Sequence, residues 1–560
     1  MSANGASRIV VIGASAAGLR AAARARRLLP DASVTVIDEG SIISYSGCGM
    51  PYFVSGDVES PDKLRQTTYG LIRDPEFFLS TKDLKVITET KVEKIDRESK
   101  KVLCKSLKSE DTSEYAYDKL VLATGSSPIM LPNVAEANER ISTFKTLSQA
   151  IFIKQSLQNK KISSVGIVGA GPIGCELAEA FSSLWGAEVV VIDAAPTILP
   201  NMLDSEMAAA VEKYLTSEGV EVNTDCPLES ITESDDGVVI NTDEDEFPVD
   251  HAIVAVGVRP NSKLAADCGL SVGKTGGIVV DEEMVTSDPD IYAAGDCVEV
   301  KNLISGSSLL MPLGSLANRQ GRVVGSNLGG RNERFGAVVG SAVVKIFDMN
   351  VAATGLTEAS ARQAGFDVGC AWGTFLDKAD FFPEAANIHL KMVFDKDSGR
   401  LLGLQGYGKG DLVKRIDVFA ALLKNERKLE DILDTEFAYA PPYAPAVDPL
   451  FSLACAARNS LIDGIEAIPP DSPTGDRLVL DVREESETKA RPLREKYMQH
   501  IPLGDLRARC GEIPGDKQII CVCPKGLRSA EAIRILKEKG FDNAVYLGGG
   551  LLMKVAPRPA

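Results

Sequence analysis

A unit of strand, glycine-rich turn, helix and second strand occurs twice in this chain, and this duplication constrains the fold more than any other feature. The first copy comprises the strand Arg8-Ile-Val-Val-Ile12, the turn Gly13-Ala-Ser-Ala-Ala-Gly18, a helix over 19–29 and the strand Ser33-Val-Thr-Val-Ile37, followed by Asp38. This order predicts a parallel sheet whose first turn binds the phosphates of a nucleotide.

The second copy comprises Ser164-Val-Gly-Ile-Val168, Gly169-Ala-Gly-Pro-Ile-Gly174, an alanine-rich helix and Glu188-Val-Val-Val-Ile192, followed by Asp193. In both copies the acid stands about 25 residues beyond the first glycine, where its carboxylate can accept hydrogen bonds from a ribose diol. One glycine motif is weak evidence, but two in complete strand–helix–strand context predict two dinucleotide sites.

Glycines suit such turns because a side chain would keep the pyrophosphate away from the free N–H groups at the helix start. Ser15 replaces the middle glycine of the first copy, and the turn tolerates this small residue. Asp193 would repel a 2′-phosphate and no arginine follows it directly, which favours NAD(H) over NADP(H). The alternative is that Asp193 only caps a loop.

Composition excludes several kinds of partner. The chain has 560 residues, 44% of them hydrophobic, which is enough for three or four domains, and its net charge of −17 argues against nucleic acid. No run approaches the roughly twenty apolar residues of a membrane span, and no secretory leader precedes the first strand. We therefore expect a cytoplasmic protein without membrane contact or metal sites, whose eleven cysteines are thiols.

Two of these cysteines carry the predicted chemistry. Cys48 lies in Ser44-Tyr-Ser-Gly-Cys-Gly-Met-Pro-Tyr52, with no second cysteine spaced to close a local redox disulfide, so its oxidation requires an external partner or oxygen. Cys523 opens the loop Cys523-Pro-Lys-Gly-Leu-Arg-Ser529, which can direct backbone N–H groups at a thiolate or persulfide.

Three further stretches carry a family resemblance. At Leu120-Val-Leu-Ala-Thr-Gly125, Val254-Ala-Val-Gly-Val-Arg-Pro-Asn261 and Ile291-Tyr-Ala-Ala-Gly-Asp-Cys297 the chain resembles the flavoprotein disulfide reductases with two dinucleotide-binding domains, over residues 8–455. The resemblance implies FAD on the first unit and a nicotinamide nucleotide on the second, with Glu176 near the flavin ring. The implied cofactor contacts are Gly13, Ser15, Ala16, Ala17, Gly18, Asp38, Glu39, Thr124, Gly125 and Asp296 in the first unit, and Gly169, Gly171, Pro172, Ile173, Gly174, Glu176, Asp193 and Gly257 in the second.

The single cysteine decides the branch of that family. Members that resemble glutathione reductase use a CxxxxC pair and a C-terminal His-Glu pair, which this chain lacks. The Cys48 segment instead resembles the single-cysteine branch of coenzyme A disulfide reductases, NADH oxidases, NADH peroxidases and persulfide reductases. Peroxidase relatives carry a His at the position of Ala16, so the resemblance argues against efficient peroxide reduction.

Residues from about 331 to 455 resemble the dimerisation domain of this branch. In coenzyme A disulfide reductases a tyrosine of this domain reaches the cysteine of the partner subunit, and Tyr443 in Tyr439-Ala-Pro-Pro-Tyr-Ala-Pro-Ala-Val-Asp448 matches it. Phe381-Phe-Pro383 stands where the family has Tyr-Tyr-Pro, which weakens a two-tyrosine mechanism. The alternative is that Tyr443 packs in a dimer seam.

The last segment resembles a rhodanese domain. The resemblance lies in Arg477-Leu-Val-Leu-Asp-Val-Arg483, His500-Ile-Pro-Leu-Gly-Asp-Leu506 and Gln518-Ile-Ile-Cys-Val-Cys523. The four residues between Cys523 and Arg528 favour a sulfane sulfur atom over the phosphate that a five-residue loop would hold. Cys521 is assigned to the core. An inactive module used only for docking is the alternative.

Cations near the first cysteine indicate coenzyme A as a ligand. In the reductases that this chain resembles, such residues hold the phosphates of coenzyme A. The matching cations here are Arg24, Arg26, Arg27, Lys63, Arg65 and Arg73, and Ser44 is a further substrate-binding candidate. The alternative is a solvated basic helix face.

We therefore expect an α/β fold with two Rossmann-like dinucleotide-binding domains, an α+β dimerisation domain and a C-terminal α/β rhodanese domain. The predicted boundaries are 1–150 with 251–330 for the FAD domain, 151–250 for the NAD domain, 331–460 for dimerisation, 461–476 for a linker and 477–560 for the rhodanese domain.

The expected enzyme is a homodimer that acts on small sulfur compounds and coenzyme A. NADH, FAD and Cys48 reduce persulfides, polysulfides or coenzyme A persulfide and disulfide, while Cys523 and Arg528 handle sulfane sulfur. An NADH oxidase and a redox sensor or sulfur carrier are the alternative functions.

Overall fold

The computed structural model describes residues 7–134 and 138–555, which form two compact units. The first comprises residues up to 194 together with 219–338, and the second comprises 195–218 together with residues from 339 onward. Both units combine sheets with helices, so the predicted α/β class is confirmed. Over the described ranges, no helix has the length and apolarity that crossing a membrane requires.

The first sheet is built around the predicted strand Arg8–Ile12. It pairs with Ser33–Ile37 on one side and Lys119–Leu122 on the other, and the outer strands are Lys85–Ile87 and Ile291–Ala293, all parallel. Four of the five residues of Arg8–Ile12 are buried, which explains the unbroken apolar sequence of this central strand.

The helix after the first turn begins earlier than the sequence predicts. It spans Ala16–Leu28 instead of 19–29, because Ser15 takes the N-cap position and the alanines that follow are strong helix formers.

The second sheet corrects two domain boundaries. Its strands, in order across the sheet, are Glu221–Asn223, Glu188–Ile192, Ser164–Val168, His251–Val254 and Ile141–Ser142, all parallel. The predicted boundaries at 150 and 250 assign the last two strands to the FAD domain. They belong to the second sheet because their backbones extend its hydrogen-bonded ladder.

Short antiparallel sheets and seven helices complete the first unit over its described residues. The sheets are Thr90–Asp96 with Lys101–Ser106 and Thr112–Ala116, Leu228–Glu233 with Val238–Thr242 and Glu246–Val249, Ser126–Pro128 with Val258–Pro260, and Val300–Lys301 with Ser308–Leu309. The helices are Ala16–Leu28, Met50–Ser55, Pro75–Lys82, Leu147–Gln158, Pro172–Ser183, Lys263–Asp267 and Gly314–Leu328.

The second unit contains an antiparallel sheet, which we call the dimerisation sheet. Its strands, in order, are Ala342–Ile346, Met349–Gly355, Leu401–Gly408, Asn387–Asp395 and Val368–Leu376. The helices of this part are Ser205–Ser217, Glu358–Gln363, Val413–Lys424, Leu429–Leu433 and Pro449–Asp463.

The C-terminal part of the second unit is a parallel sheet flanked by helices. Its strands, in order, are Ala467–Ile468, Ala544–Leu547, Ile519–Val522, Leu478–Asp481 and Met498–His500, and its helices are Glu485–Ala490, Leu503–Arg509 and Leu527–Glu538. The predicted linker 461–476 is shorter than expected, because Gly464 ends the preceding helix and the next apolar pair joins the sheet.

One buried lysine joins three segments of the second unit. Lys391 Nζ lies 2.9 Å from Asp204, 2.5 Å from Glu206 and 2.9 Å from Glu358, and only 1% of its side chain is exposed. We call these residues the Lys391 cluster. It explains why residues 195–218 belong to the second unit and not to the predicted NAD domain.

Replacing Lys391 by Met should destabilise the second unit. Met fills a similar volume but leaves Asp204 and Glu206 as uncompensated buried charges, which should cost about 3–5 kcal/mol. Denaturant unfolding should therefore give Lys391→Met a lower free energy of unfolding than wild type. The control is Lys396→Met, whose exposed pair with Asp367 at 3.9 Å contributes about 0–1 kcal/mol. Equal stability of the two variants would contradict the assigned role.

Candidate active site

The two glycine turns bring each helix so close to the preceding strand that only glycine fits. A methyl group at Gly18 would lie 1.9 Å from the carbonyl oxygen of Gly13, and one at Gly174 would lie 1.9 Å from that of Gly169. Each helix therefore starts beside the carboxyl end of its strand, where helices of this architecture bind phosphate.

The two predicted ribose acids make the same contact with their own turns. Asp38 Oδ2 accepts a hydrogen bond from the Ala14 N–H at 2.5 Å, and Asp193 Oδ2 accepts one from the Ala170 N–H at 2.6 Å. Burial raises the pKa of Asp38. The matching geometry shows that the sequence duplication is also a duplication of structure.

The starts of both helices are accessible to a dinucleotide. A Cβ at Gly171, the N-cap of the second helix, would meet no atom within 4 Å, and Pro172 and Ile173 beside it are exposed. In the first unit Ser15 is exposed and its side chain makes no capping hydrogen bond, while Ala17 is buried. These positions fit the approach of a diphosphate.

Loops after other strands of the first sheet add polar groups. Thr124 Oγ1 donates to the Asn261 carbonyl at 2.7 Å. Asp296 Oδ2 accepts from Ser126 Oγ at 2.9 Å and lies 3.7 Å from Lys145 Nζ. Neither Ser126 nor Lys145 was predicted from the sequence, because no sequence pattern relates them to Asp296.

The remaining predicted cofactor residues are placed as follows. Glu39 is exposed, a Cβ at Gly125 would meet no atom within 4 Å, and Gly257 accepts a backbone hydrogen bond from Ile129 at 3.0 Å. Ala16 is the first residue of its helix.

Cys48 is an exposed thiol in the single turn Gly47–Gly49, directly before the helix Met50–Ser55. Its Sγ lies 4.0 Å from the position that a Cβ on Gly314 would take, and Gly314 begins the fifteen-residue helix Gly314–Leu328. The partial positive charge of that helix start therefore lies beside the sulfur.

The turn that carries Cys48 is tied to two neighbouring segments. Ser44, which has a φ of 55°, donates its N–H to the Ala14 carbonyl at 3.0 Å, and Ser46 donates to the Leu64 carbonyl at 2.8 Å. The thiol is thus anchored to the first glycine turn through the backbone.

Two side chains hold the carboxyl end of the helix that follows Cys48. Lys154 Nζ donates to the Phe53 carbonyl at 2.5 Å and to the Val58 carbonyl at 3.4 Å, and Trp185 Nε1 donates to the Val54 carbonyl at 2.8 Å. The carbonyls at a helix end otherwise lack partners, so these contacts fix the helix. The sequence gives no signal for either residue.

Tyr52 links this helix to the second nucleotide-binding helix, because its hydroxyl hydrogen-bonds with Glu176. Burial and nearby carboxylates raise the pKa of Tyr52 to about 12. Burial together with Glu179 raises the pKa of Glu176 to about 7. Glu176, which the sequence analysis assigns beside the flavin ring, therefore changes charge in the neutral range.

The side chains predicted to bind coenzyme A differ in how many contacts they already make with other residues of the protein. Arg27 is largely exposed and Lys63 is exposed, while Arg65 pairs with Asp62 at 3.0 Å. Arg24 donates to Ser326 Oγ at 3.0 Å and lies 3.6 Å from Glu333, and burial lowers its pKa.

The second unit holds the other predicted residues, beginning with Tyr443. Its side chain is 71% exposed, and Lys414 Nζ donates to its carbonyl. Phe381, which stands in place of the family tyrosine, is 73% exposed. Both aromatic rings are thus available to a partner.

Cys523 follows the strand Ile519–Val522 and is only 1% exposed. Its Sγ accepts a hydrogen bond from the Gly526 N–H at 3.1 Å. Cys521 is fully buried, as predicted, and burial raises its pKa. Arg528 binds Glu487 through two hydrogen bonds of 2.6 and 2.7 Å and holds the pKa of that carboxyl at about 2. No sequence signal identified Glu487 as this partner.

Comparison with protein families matches most of the chain. Residues 7–321 match the model described as pyridine nucleotide-disulphide oxidoreductase, and residues 341–450 match the dimerisation domain of the same description. Neither match includes the C-terminal part.

Comparison with individual proteins gives similar results. An NADH oxidase of Methanocaldococcus jannaschii is 35% identical over 81% of this chain and 98% of its own length. An NAD(P)H coenzyme A polysulfide/persulfide reductase of Pyrococcus horikoshii is 34% identical over 80% and 97%. The structure of an NAD-dependent persulfide reductase from A. fulgidus has 40% identity and a TM-score of 0.94, and the match covers 98% of this chain and 99% of that one. The structural likeness therefore extends into the C-terminal part.

Glu176 should make stability fall as pH rises. Its pKa in the folded protein is about 7, above its ordinary value of 4.5, so between these values the folded state retains a proton that the unfolded state releases. Glu176→Gln should match wild type near pH 4 and exceed its stability at about pH 8 by roughly 1–3 kcal/mol. Thermal unfolding across this range is the measurement. Glu229→Gln, at an exposed position, is the control, and a pH-independent effect of Glu176→Gln would contradict the assignment.

Proposed function

Because the chain belongs to the pyridine nucleotide-disulphide oxidoreductase family, we propose that it is an NADH- and FAD-dependent reductase of persulfides, polysulfides or coenzyme A persulfide and disulfide. The observation that carries this proposal is the exposed Cys48, since all eleven cysteines are free thiols. A thiol without a disulfide partner must exchange electrons through an external sulfur compound or oxygen.

Cys48 is the nucleophile of the proposed reaction. Its thiolate attacks the outer sulfur of R–S–SH, the substrate S–S bond breaks, RS⁻ leaves, and Cys48 becomes a persulfide. Two electrons then cleave this persulfide, which releases HS⁻ and restores the thiolate. With R–S–S–R the same attack gives a mixed disulfide and RS⁻, and two electrons release the second RS⁻.

FAD and NAD(H) are the cofactors of this family, and FAD, when bound, relays the two electrons from NADH to sulfur. Gly13, Ser15, Gly18 and Asp38, with Asp296, are the residues that would hold FAD. The second turn with Asp193 would hold the nicotinamide nucleotide, and its carboxylate favours NADH over NADPH.

The helix start beside Cys48 supports the role of the nucleophile, and cations of the first unit are the proposed ligands of the substrate. The start of the helix Gly314–Leu328 lies beside Sγ and favours negative charge there. We assign Arg27, Lys63 and Arg65 to the phosphates of coenzyme A. Arg24 is a further proposed ligand, and its guanidinium group also pairs with Glu333.

We also propose a homodimer in which Tyr443 of one subunit donates a hydrogen bond to the thiolate that leaves at Cys48 of the other. The match of residues 341–450 to a dimerisation domain and the 71% exposure of Tyr443 support this assignment.

The C-terminal part is proposed to act as a rhodanese domain in which Cys523 carries sulfane sulfur. The hydrogen bond from the Gly526 N–H to Cys523 Sγ supports this role, because it would stabilise negative charge on the sulfur. A docking module without turnover is the alternative.

An NADH oxidase is the second candidate function. It is favoured by the 35% identical relative of that name and by the accessibility of Cys48 to oxygen. Rates of NADH oxidation with polysulfide, coenzyme A disulfide and oxygen, each as sole acceptor, decide between the two.

Cys48→Ser should lower NADH oxidation with polysulfide or coenzyme A disulfide to less than about 1% of wild type, because the nucleophile is lost. FAD should remain bound, since the cofactor contacts lie elsewhere, and the flavin absorbance of the purified protein checks this. Cys226→Ser, at a partly exposed cysteine elsewhere in the first unit, is the control and should retain wild-type activity. Unchanged turnover in Cys48→Ser would refute the assigned role.

Cys523→Ser should abolish the transfer of sulfur from thiosulfate to cyanide but leave the reduction of small polysulfide largely intact. Only Cys523 carries sulfur in the proposed rhodanese domain, whereas electrons reach sulfur at Cys48. The assay follows thiocyanate formation and NADH oxidation in parallel. Equal loss of both activities would indicate an obligatory relay, and undiminished thiocyanate formation would exclude Cys523 as the sulfur carrier.

A further inference from the structure

Three consecutive glycines, Gly548 to Gly550, lie directly behind the Cys523 loop, and we call them the glycine strap. Leu551, just after the strap, donates its N–H to the Cys523 carbonyl at 2.9 Å. A methyl group at Gly550 would lie 2.5 Å from that carbonyl oxygen and 2.6 Å from the Gly526 nitrogen. The strap and the loop are therefore in backbone contact, and a shift of the strap moves the loop.

The other side of the glycine strap rests on the strand Val368–Leu376 of the dimerisation sheet. Thr374 Oγ1 donates to the Gly549 carbonyl at 2.8 Å, and both groups are buried. A methyl group at Gly548 would lie 2.9 Å from the ring of Trp372. Trp372 and Thr374 are two residues apart and so lie on the same face of the strand.

The hydrogen bonds at Thr374 have a defined direction. Because its hydroxyl donates to Gly549, its oxygen accepts from His389 Nδ1–H, at 3.0 Å. Burial, with Lys525 nearby, lowers the pKa of His389 to about 4, so the ring is neutral at pH 7. His389 also stacks on Tyr407 with ring centroids 4.7 Å apart. A continuous set of contacts thus joins the dimerisation sheet to the strap.

We propose that Thr374 is a positioning residue for sulfur transfer at Cys523, acting through the glycine strap and oriented by His389. This inference rests on the sulfane-sulfur role proposed for Cys523. Without the Thr374 hydroxyl, the Gly549 carbonyl and the His389 Nδ1–H lose their buried partner, so the strap shifts and the Gly526 N–H no longer meets Cys523 Sγ.

The reaction used as the test is the transfer of sulfur from thiosulfate to cyanide. The Cys523 thiolate attacks the outer sulfur of thiosulfate, the S–S bond breaks and sulfite leaves. Cyanide then takes the outer sulfur of the Cys523 persulfide, which releases thiocyanate and restores the thiolate.

The experiment compares Thr374→Val, which keeps the shape but lacks the hydroxyl, with Thr374→Ser, which keeps the hydroxyl, in the full chain. We expect Thr374→Val to lower kcat roughly three- to tenfold, the factor of one net hydrogen bond, with KM for thiosulfate unchanged, and Thr374→Ser to restore kcat. Alkylation of Cys523 by iodoacetamide, measured by peptide mass spectrometry, should slow by a similar factor in Thr374→Val only.

Thr354→Val is the matched control. It removes another fully buried hydroxyl of the dimerisation sheet, which hydrogen-bonds with Ser341 at 2.8 Å and not with the strap. Both readouts should keep their wild-type values in this variant. Equal losses in Thr354→Val and Thr374→Val would overturn the inference, because they would reflect general destabilisation, and so would wild-type values of kcat and alkylation rate in Thr374→Val.

Should Thr374→Val fail to fold, as judged by loss of polysulfide reduction, His389→Phe takes its place. That variant keeps the Thr374 contact with the strap but removes the donor that orients it, and should lower kcat roughly two- to threefold. An unchanged kcat would overturn the inference. Absence of any Cys523-dependent turnover in wild type would count against the proposed rhodanese function instead, and the alkylation rates would still decide the role of Thr374.

Discussion

Close backbone contact between a helix and the preceding strand is the constraint on which the first unit depends. At Gly18 and Gly174 any side chain would collide with a carbonyl oxygen 1.9 Å away, so the helix would have to leave its strand. The position of the reactive thiol follows from the same contact. Ser44 donates to the Ala14 carbonyl of the first turn at 3.0 Å, and Cys48 comes four residues later. The first glycine turn thus contacts the backbone of the segment that carries Cys48.

The two cysteines that are proposed to handle sulfur lie in different settings. Cys48 is exposed beside the start of a long helix, a setting that admits a bulky substrate such as a coenzyme A derivative. Cys523 is 1% exposed and its sulfur accepts one N–H hydrogen bond within its own loop. The difference in burial fits a division of work in which one thiol meets the acceptor and the other receives sulfur.

The local sequence predicted the secondary-structure elements well, but it predicted less well which segments those elements contact. The strands Arg8–Ile12 and Ser164–Val168 were predicted with their observed ends, because apolar runs and glycine turns are local signals. The predicted domains place His251–Val254 in the FAD domain and residues 195–218 in the NAD domain, and the structure differs in both cases for the same reason. The position of each segment depends on contacts with distant parts of the chain. In the site, the glycine motifs predicted the two acids that contact their own turns, and the ribose role of these acids stays a prediction. Lys154 and Trp185 gave no signal, because their carbonyl partners lie about a hundred residues or more away in sequence.

The contacts that support the Cys523 loop continue beyond the glycine strap to other segments of the second unit. Trp372, on which Gly548 rests, donates to Glu206 at 3.0 Å, and Glu206 is held at 2.5 Å by Lys391. The Lys391 cluster therefore stabilises both the dimerisation sheet and the surface on which the strap lies. A continuous set of contacts thus joins the dimerisation sheet to the C-terminal part, and the residues that support the Cys523 loop from below lie more than a hundred positions earlier in the chain.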